Sequence, residues 1–182
     1  MITFRKTFIY KIWAKLLTRF GKVMIAFDPP KVMYKDIRNL MANIKQGDIL
    51  CRKYHSYLDG YFIKGKYSHS GVVINSIGMI HSIAEGVGYI DVGDFVLHTD
   101  GFILLRPKCH VLDDVHRGIT FVKSCLGKPY DFMFKRDKDT YYCHELSFEY
   151  LNIISPVQGE DCGIVYYANL LNRCDVIYET RS

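Results

Sequence analysis

Ser68-His69-Ser70-Gly71-Val72-Val73-Ile74 is a polar entry followed by a short apolar run that stops at Asn75. Its β-branched residues and its length read as a buried strand over 70–74. Met79-Ile80-His81-Ser82-Ile83 follows Gly78 as the return strand of a hairpin, and Gly86-Val87-Gly88-Tyr89-Ile90-Asp91-Val92 continues the meander. Residues 94–97 read as a turn. Phe102-Ile103-Leu104-Leu105-Arg106 is a further strand, stopped by Pro107. Strands this close together pair antiparallel, and the spacing predicts a small sheet curled into a half-barrel.

Working outward, Gln46-Gly47-Asp48 turns the chain into a first strand, Ile49–Arg52. The intervening segment 53–66 is rich in Tyr, Gly and Lys, and reads as a surface loop with room for one short helix. Downstream, Val111, Val115, Ile119, Val122 and Leu126 recur at helical spacing, and Gly127 with Pro129 ends that helix. Tyr141–Ile154 is the next helix, with Leu146, Tyr150 and Ile153 or Ile154 on one face and Pro156 at its end. Residues 163–172 read as helical and 175–179 as a strand. Before the sheet, a helix is expected from Val32 to Asn43, after the breaker Asp28-Pro29-Pro30.

The first segment, 3–26, reads as an amphipathic helix. Phe4, Phe8, Ile9, Ile12, Trp13, Leu16, Leu17 and Phe20 fall on one side, and Lys11, Lys15, Arg19 and Lys22 mainly on the other. Such a helix either packs on the domain or lies on an anionic bilayer. The expected organisation is a helical appendage over 1–45 and a catalytic domain over 46–182.

The chain has 182 residues, 49% hydrophobic and 24% charged, with a net charge of +5. That composition belongs to a globular domain and excludes extended disorder. No run is long and apolar enough to span a bilayer. The basic excess is concentrated in the N-terminal amphipathic segment and no nucleic-acid motif accompanies it, so no nucleic acid is expected as a partner. Glu85-Gly86-Val87-Gly88 is a turn-rich link and not a phosphate loop. Six cysteines, without a Cys-x-x-Cys pair or a clean secretory leader, predict free thiols, a cytoplasmic location and no zinc site.

Two places carry candidate chemistry. His69 stands at the entry of a buried strand, and Cys143 at the opening of a helix. A helix N-terminus stabilises a thiolate and presents unpaired N–H groups to an oxyanion. A nearby imidazole would complete the pair. On residue chemistry alone, a structural thiol and a satisfied edge histidine are the commoner readings. His144 and Glu145 turn away from Cys143 by roughly 100° and 200°. His144 is therefore not expected as the base, and Glu145 reads as a helix-start acid or a loop brace. Asp131 is expected to hold the loop before the helix, Asp48 to fix the turn into the first strand, and Tyr142 to line the cleft or the core. Cys51, Cys109, Cys125, Cys162 and Cys174 read as structural.

Taken in order, the segments 47–50, 68–73, 80–82 with 86–87, 104–107, 127–131 and Tyr142-Cys143-His144-Glu145-Leu146 resemble the permuted papain-like amidase family of YiiX/YaeF type, within the NlpC-related papain-like superfamily. The resemblance runs from about Gln46 to Ile154. It implies an α+β, circularly permuted papain-like fold, with the histidine strand ahead of the cysteine helix. It also implies Cys143 as nucleophile and His69 as base, with no metal or organic cofactor. The third, orienting residue is often glutamate in that family. Here His81 takes the position, and Glu85 is the fallback. The implied activity is a thiol hydrolase acting through an acyl-enzyme on a peptide, amide or lipid-ester substrate. The alternatives are a lipid-directed acyltransferase or thioesterase of the lecithin–retinol acyltransferase-like branch, with peripheral membrane contact through residues 3–26, and a non-catalytic papain-like binding module.

Overall fold

The computed structural model describes residues 8–21, 31–53, 65–97, 99–109, 111–136, 138–157 and 163–180. In chain order these form α1 (Phe8–Gly21), α2 (Tyr34–Asn43), β1 (Ile49–Lys53), β2 (His69–Val73), β3 (Gly78–Ile83), β4 (Gly86–Asp91), α3 (Val92–Val96), β5 (Gly101–Pro107), α4 (Leu112–Ser124), α5 (Cys143–Ile154), α6 (Tyr167–Asn172) and β6 (Cys174–Glu179). The breaker at 28–30, most of the loop at 53–66, both ends of the expected 3–26 helix and Cys162 lie outside the described residues.

All six strands form one antiparallel sheet in the order β4-β3-β2-β1-β5-β6. The sheet is open: β4 and β6 are its two edges and do not pair with each other. The turn expected at 94–97 is instead part of the short helix α3. Asp91 caps it by accepting from the Gly93 N–H at 2.8 Å, and Val92, Phe95 and Val96 are buried.

Strand alternation gives the sheet two apolar faces. Ile49, Cys51, Val72, Ile80, Ile103 and Leu105 point to one face, where Leu146, Tyr150 and Ile154 of α5 and Val115, Ile119 and Val122 of α4 cover them. Leu50, Val73, Met79, Phe102 and Leu104 point to the other, under Val92, Phe95 and Val96 of α3 and Leu40 of α2. Each fully buried large side chain contributes about 1.5–3 kcal/mol relative to exposure.

The turn into β1 is pinned from three sides. Gly47 has φ of 88°, and a Cβ there would lie 2.7 Å from both the Tyr150 hydroxyl and Val115 Cγ1. Tyr150 Oη donates to Gly47 O at 2.9 Å. Asp48 is fully buried and accepts two bonds from Arg106, Nε to Oδ1 and Nη2 to Oδ2, each at 2.8 Å. That bidentate geometry satisfies a charge that would otherwise be costly to bury. It fixes the strand that lies between β2 and β5.

α1 stands differently. Ile12, Trp13 and Leu16 are 45%, 51% and 57% exposed, so this apolar stripe is uncovered.

Candidate active site

Cys143 is the first residue of α5, where the helix N–H groups have no partner within the helix. The sheet beneath it holds it closely. The thiol lies 3.7 Å from the Ser68 carbonyl, so it touches the peptide unit that carries His69. Ser70 Oγ lies 3.2 Å from the Cys143 carbonyl and 2.9 Å from Ser147 Oγ, one turn further along the helix. Ser82 Oγ donates to the Tyr141 carbonyl at 2.6 Å. The helix start is therefore stitched to β2 and β3 by small hydroxyls at alternate strand positions.

His144 acts as a clamp. Its Nδ1 meets Ser70 Oγ at 2.8 Å and its Nε2 meets the Tyr67 carbonyl at 3.2 Å. Burial lowers its pKa to about 4, so the ring is neutral at pH 7. The bond pattern then orders the protons: Nε2–H donates to Tyr67 O, and Nδ1 accepts from the Ser70 hydroxyl. The two residues flanking Ser68-His69 are thereby tied to the residue after Cys143.

His69 and His81 point to the opposite face. His69 Nε2 lies 3.0 Å from His81 Nδ1, and the two rings meet edge to face. In the register Gly71 stands opposite His81, so the imidazoles are diagonal neighbours. Gly71 makes this contact possible. A Cβ there would lie 2.5 Å from Met79 Cε, 2.9 Å from the Ile80 carbonyl and 3.0 Å from His81 Cβ. Phe95 of α3 stacks on the His69 ring at 5.5 Å between centroids and meets His81 edge-on at 5.8 Å. Arg52, opposite His69 in β1, places its guanidinium 4.3 Å from the Phe95 centroid and donates to the Phe95 carbonyl at 2.6 Å.

The electrostatics of this face are one-sided. Burial pushes the His69 pKa well below 6.5, and the Arg52 cation pushes the same way. His81 is lowered to about 4 by burial, then by Arg52, with Glu85 opposing. Both imidazoles are neutral at pH 7, the state a general base needs before it accepts a proton. A resting imidazolium, as in a thiolate–imidazolium ion pair, is disfavoured. Glu85, in the β3–β4 turn, acts on this pair through its charge on His81.

The remaining sequence candidates fall into structural places. Glu145 accepts from the Tyr142 N–H at 3.2 Å, at the start of α5. Burial raises its pKa to about 8. Asp131 is fully buried under its own loop, and its carboxylate accepts from the backbone N–H groups of Met133, Lys135 and Arg136. Tyr142 is a core residue whose hydroxyl accepts from the Val165 N–H. Cys51, Cys109, Cys125 and Cys174 are free thiols, as is Cys143. Sequence reasoning missed Arg52 and Phe95. Arg52 could have been found from its place opposite His69 once the strands were paired. Phe95 depended on recognising α3.

The family model of the permuted papain-like amidases, described as YaeF/YiiX of the C92 family, matches residues 43–161. Among solved structures, the metalloprotein YiiX from Escherichia coli O157:H7 shares the fold at 14% identity with a TM-score of 0.58, over 77% of this chain and 99% of that one. No curated protein matches the chain. Among the described residues, no group of three or more His, Cys, Asp and Glu side chains is placed to hold a metal ion. His69 and His81 aim their nitrogens at each other instead of converging on a third point, so no step below runs through a metal. With about two thirds of its length matched by the family model, this chain belongs to the permuted papain-like amidases of the YaeF/YiiX, C92 family.

Proposed function

We propose that the chain is a thiol amidase or peptidase in which Cys143 attacks a carbonyl, His69 takes the thiol proton and His81 orients His69. The observation that carries this is the 3.0 Å contact between His69 Nε2 and His81 Nδ1, beside a thiol that touches the peptide unit preceding His69. In this reading Nε2 of His69 donates to His81, which leaves the Nδ1 lone pair to take the thiol proton. Sγ then forms a bond to the substrate carbonyl carbon as its proton passes to Nδ1. The Cys143 backbone N–H, at the helix start, stabilises the oxyanion. Collapse of the tetrahedral species breaks the bond to the leaving amine, which takes the proton back from His69. Water, deprotonated by the same nitrogen, then releases the acyl group. Since His69 rests neutral, proton transfer accompanies attack and does not precede it.

The test is labelling of the folded chain with a limiting thiol electrophile across pH, followed by peptide mapping. Cys143 should react faster than the other five cysteines. A Cys143 no more reactive than Cys109, which is half-buried where Cys143 is buried, removes the nucleophile and leaves a papain-like binding module.

A lipid-directed acyltransferase or thioesterase is the second reading, favoured by the uncovered stripe Ile12, Trp13 and Leu16 beside Lys11, Lys15 and Arg19 on α1. Apolar side chains entering an anionic bilayer with cations at the headgroups would give that exposure a use. Co-sedimentation with anionic vesicles, with and without residues 1–27, separates the two. Binding by the full chain and not the truncated one supports the lipid reading, and absence of binding by either removes it.

A further inference from the structure

On the outer side of α5, away from Cys143, a groove of about 810 Å³ runs between α4 and residues 134–136 and 138. Glu145, Glu149 and Ile153 of α5 form its floor, at the i, i+4, i+8 spacing of one helix face. Lys128, Lys135, Arg136 and Lys138 surround it. Phe121, Phe134 and Tyr141 supply aromatic wall, and Ile153 and Ile164 are 37% and 43% exposed. Its charge does not cancel. Arg136 pairs with Glu149 at 2.7 Å. Glu145, with a pKa raised to about 8 by burial, is mostly protonated at pH 7. Among the described residues, Lys135 and Lys138 have no carboxylate partner.

The loop that carries these cations is held in an unfavourable shape. Phe134 and Arg136 both have φ of 51°, a region that side-chain-bearing residues rarely adopt. Three fastenings hold it there. The buried Asp131 carboxylate gathers three backbone N–H groups of the loop, the Phe134 ring packs on Tyr142 at 4.9 Å, and Lys128 Nζ donates to the Lys138 carbonyl at 2.6 Å. A backbone strained at two positions and braced at three is the pattern of a segment shaped for a ligand.

We propose that this groove is a second binding site, for a small anionic amphiphile: a phosphate held by Lys135 and Lys138, borne on an aryl or alkyl stem that lies against Phe121, Phe134 and Ile153. One-sided cationic walls raise the local anion concentration, and the apolar floor distinguishes such a ligand from a bare anion. The site is independent of the thiol chemistry, because Cys143 faces the sheet on the other side of the helix.

Isothermal titration of the full chain with phenyl phosphate and with octyl phosphate tests it, with inorganic phosphate and benzyl alcohol as the two halves alone. Saturable binding of at least one organic phosphate, about ten-fold or more tighter than either half, is expected. Joint Lys135→Ala and Lys138→Ala substitution should weaken it by about ten-fold or more, and Lys138→Glu alone should do the same. Both side chains are exposed, and the Lys135 N–H that Asp131 holds is retained. Cys143→Ser should bind as the parent does. The proposal fails if neither phosphate binds, if benzyl alcohol binds as well as they do, if the lysine variants bind unchanged, or if Cys143→Ser abolishes binding and so places the ligand at the thiol.

Discussion

The two faces of the central sheet are built from the same strands and do opposite work. Toward α5, residues 70 and 82 are serines, and with Ser147 and His144 they stitch the helix start to β2 and β3. Toward α3, residues 69 and 81 are histidines, and they are shut between Phe95 and an apolar layer. One face spends polar groups on position. The other buries His81 and half-buries His69, so that both imidazoles stay neutral. A strand has one side chain per face every two residues, so a single seven-residue stretch serves both purposes.

His69→Ala breaks the comparison most severely. It leaves the α5 face intact and should lower Cys143 reactivity and any amidase turnover by about 10²–10⁴-fold, with near-unchanged far-ultraviolet dichroism. If selective labelling survives, the imidazole face has no part in the chemistry.

Acidification tests both faces together. The folded pKa values of His81 and His144, about 4, and that of His69 lie below the 6.5 of an unperturbed histidine. Between pH 6.5 and 4 the unfolded chain therefore binds more protons than the folded one, and stability falls as pH falls. Urea titrations should show a loss of a few kcal/mol across that window, and His81→Gln should reduce the slope by about one proton's share. Glu145 acts in the other direction, stabilising at low pH and losing that contribution as pH rises from 4.5 through about 8.

Gly71→Val probes the α3 face alone. Its Cβ meets the Ile80 carbonyl, which is backbone and cannot yield cheaply, and its methyl groups would intrude between the imidazoles. A loss of about 2–3 kcal/mol is expected from overpacking, seen as a lower urea midpoint at unchanged slope, together with loss of the His69–His81 coupling in nitrogen chemical shifts. Ser70→Ala probes the α5 face alone and should cost about 1–2 kcal/mol, by removing the partner of His144 Nδ1. An equal effect of Gly71→Val and Ser70→Ala on thiol labelling would mean that the two faces are not specialised.

Much of this was legible in the sequence. The short apolar run over 70–74 and the turn residues between runs mark the strands, and the family resemblance implies the permutation, which the order of His69 before Cys143 fits. His81 was read from its place alone. That it reaches His69 diagonally depends on the Gly71–His81 register, which periodicity does not encode. α3 reads as a turn in the sequence because five residues are too few to show a helical period, although Asp91 ahead of Val92-Gly93 is a usable cap signal. That the sheet stays open was not legible, for a longer-range reason. Closure would require β4 to meet β6, and no local pattern reports whether two edges far apart in sequence come together.

An open sheet has edges, and edges template association between molecules. At β4 the chain supplies its own stopper: Val87 exchanges backbone bonds with the 127–128 segment, donating to the Lys128 carbonyl and accepting from the Gly127 N–H, both at 2.9 Å. Gly86, at φ of 117°, permits that approach, since a Cβ would lie 2.6 Å from the Lys128 carbonyl. The same segment leads into the loop before Cys143. Solubility and the placement of Cys143 are thus tied to one short stretch of backbone, and a substitution at Gly86 that pushed it away would loosen the approach to the cysteine helix and bare a strand on which a second molecule can grow.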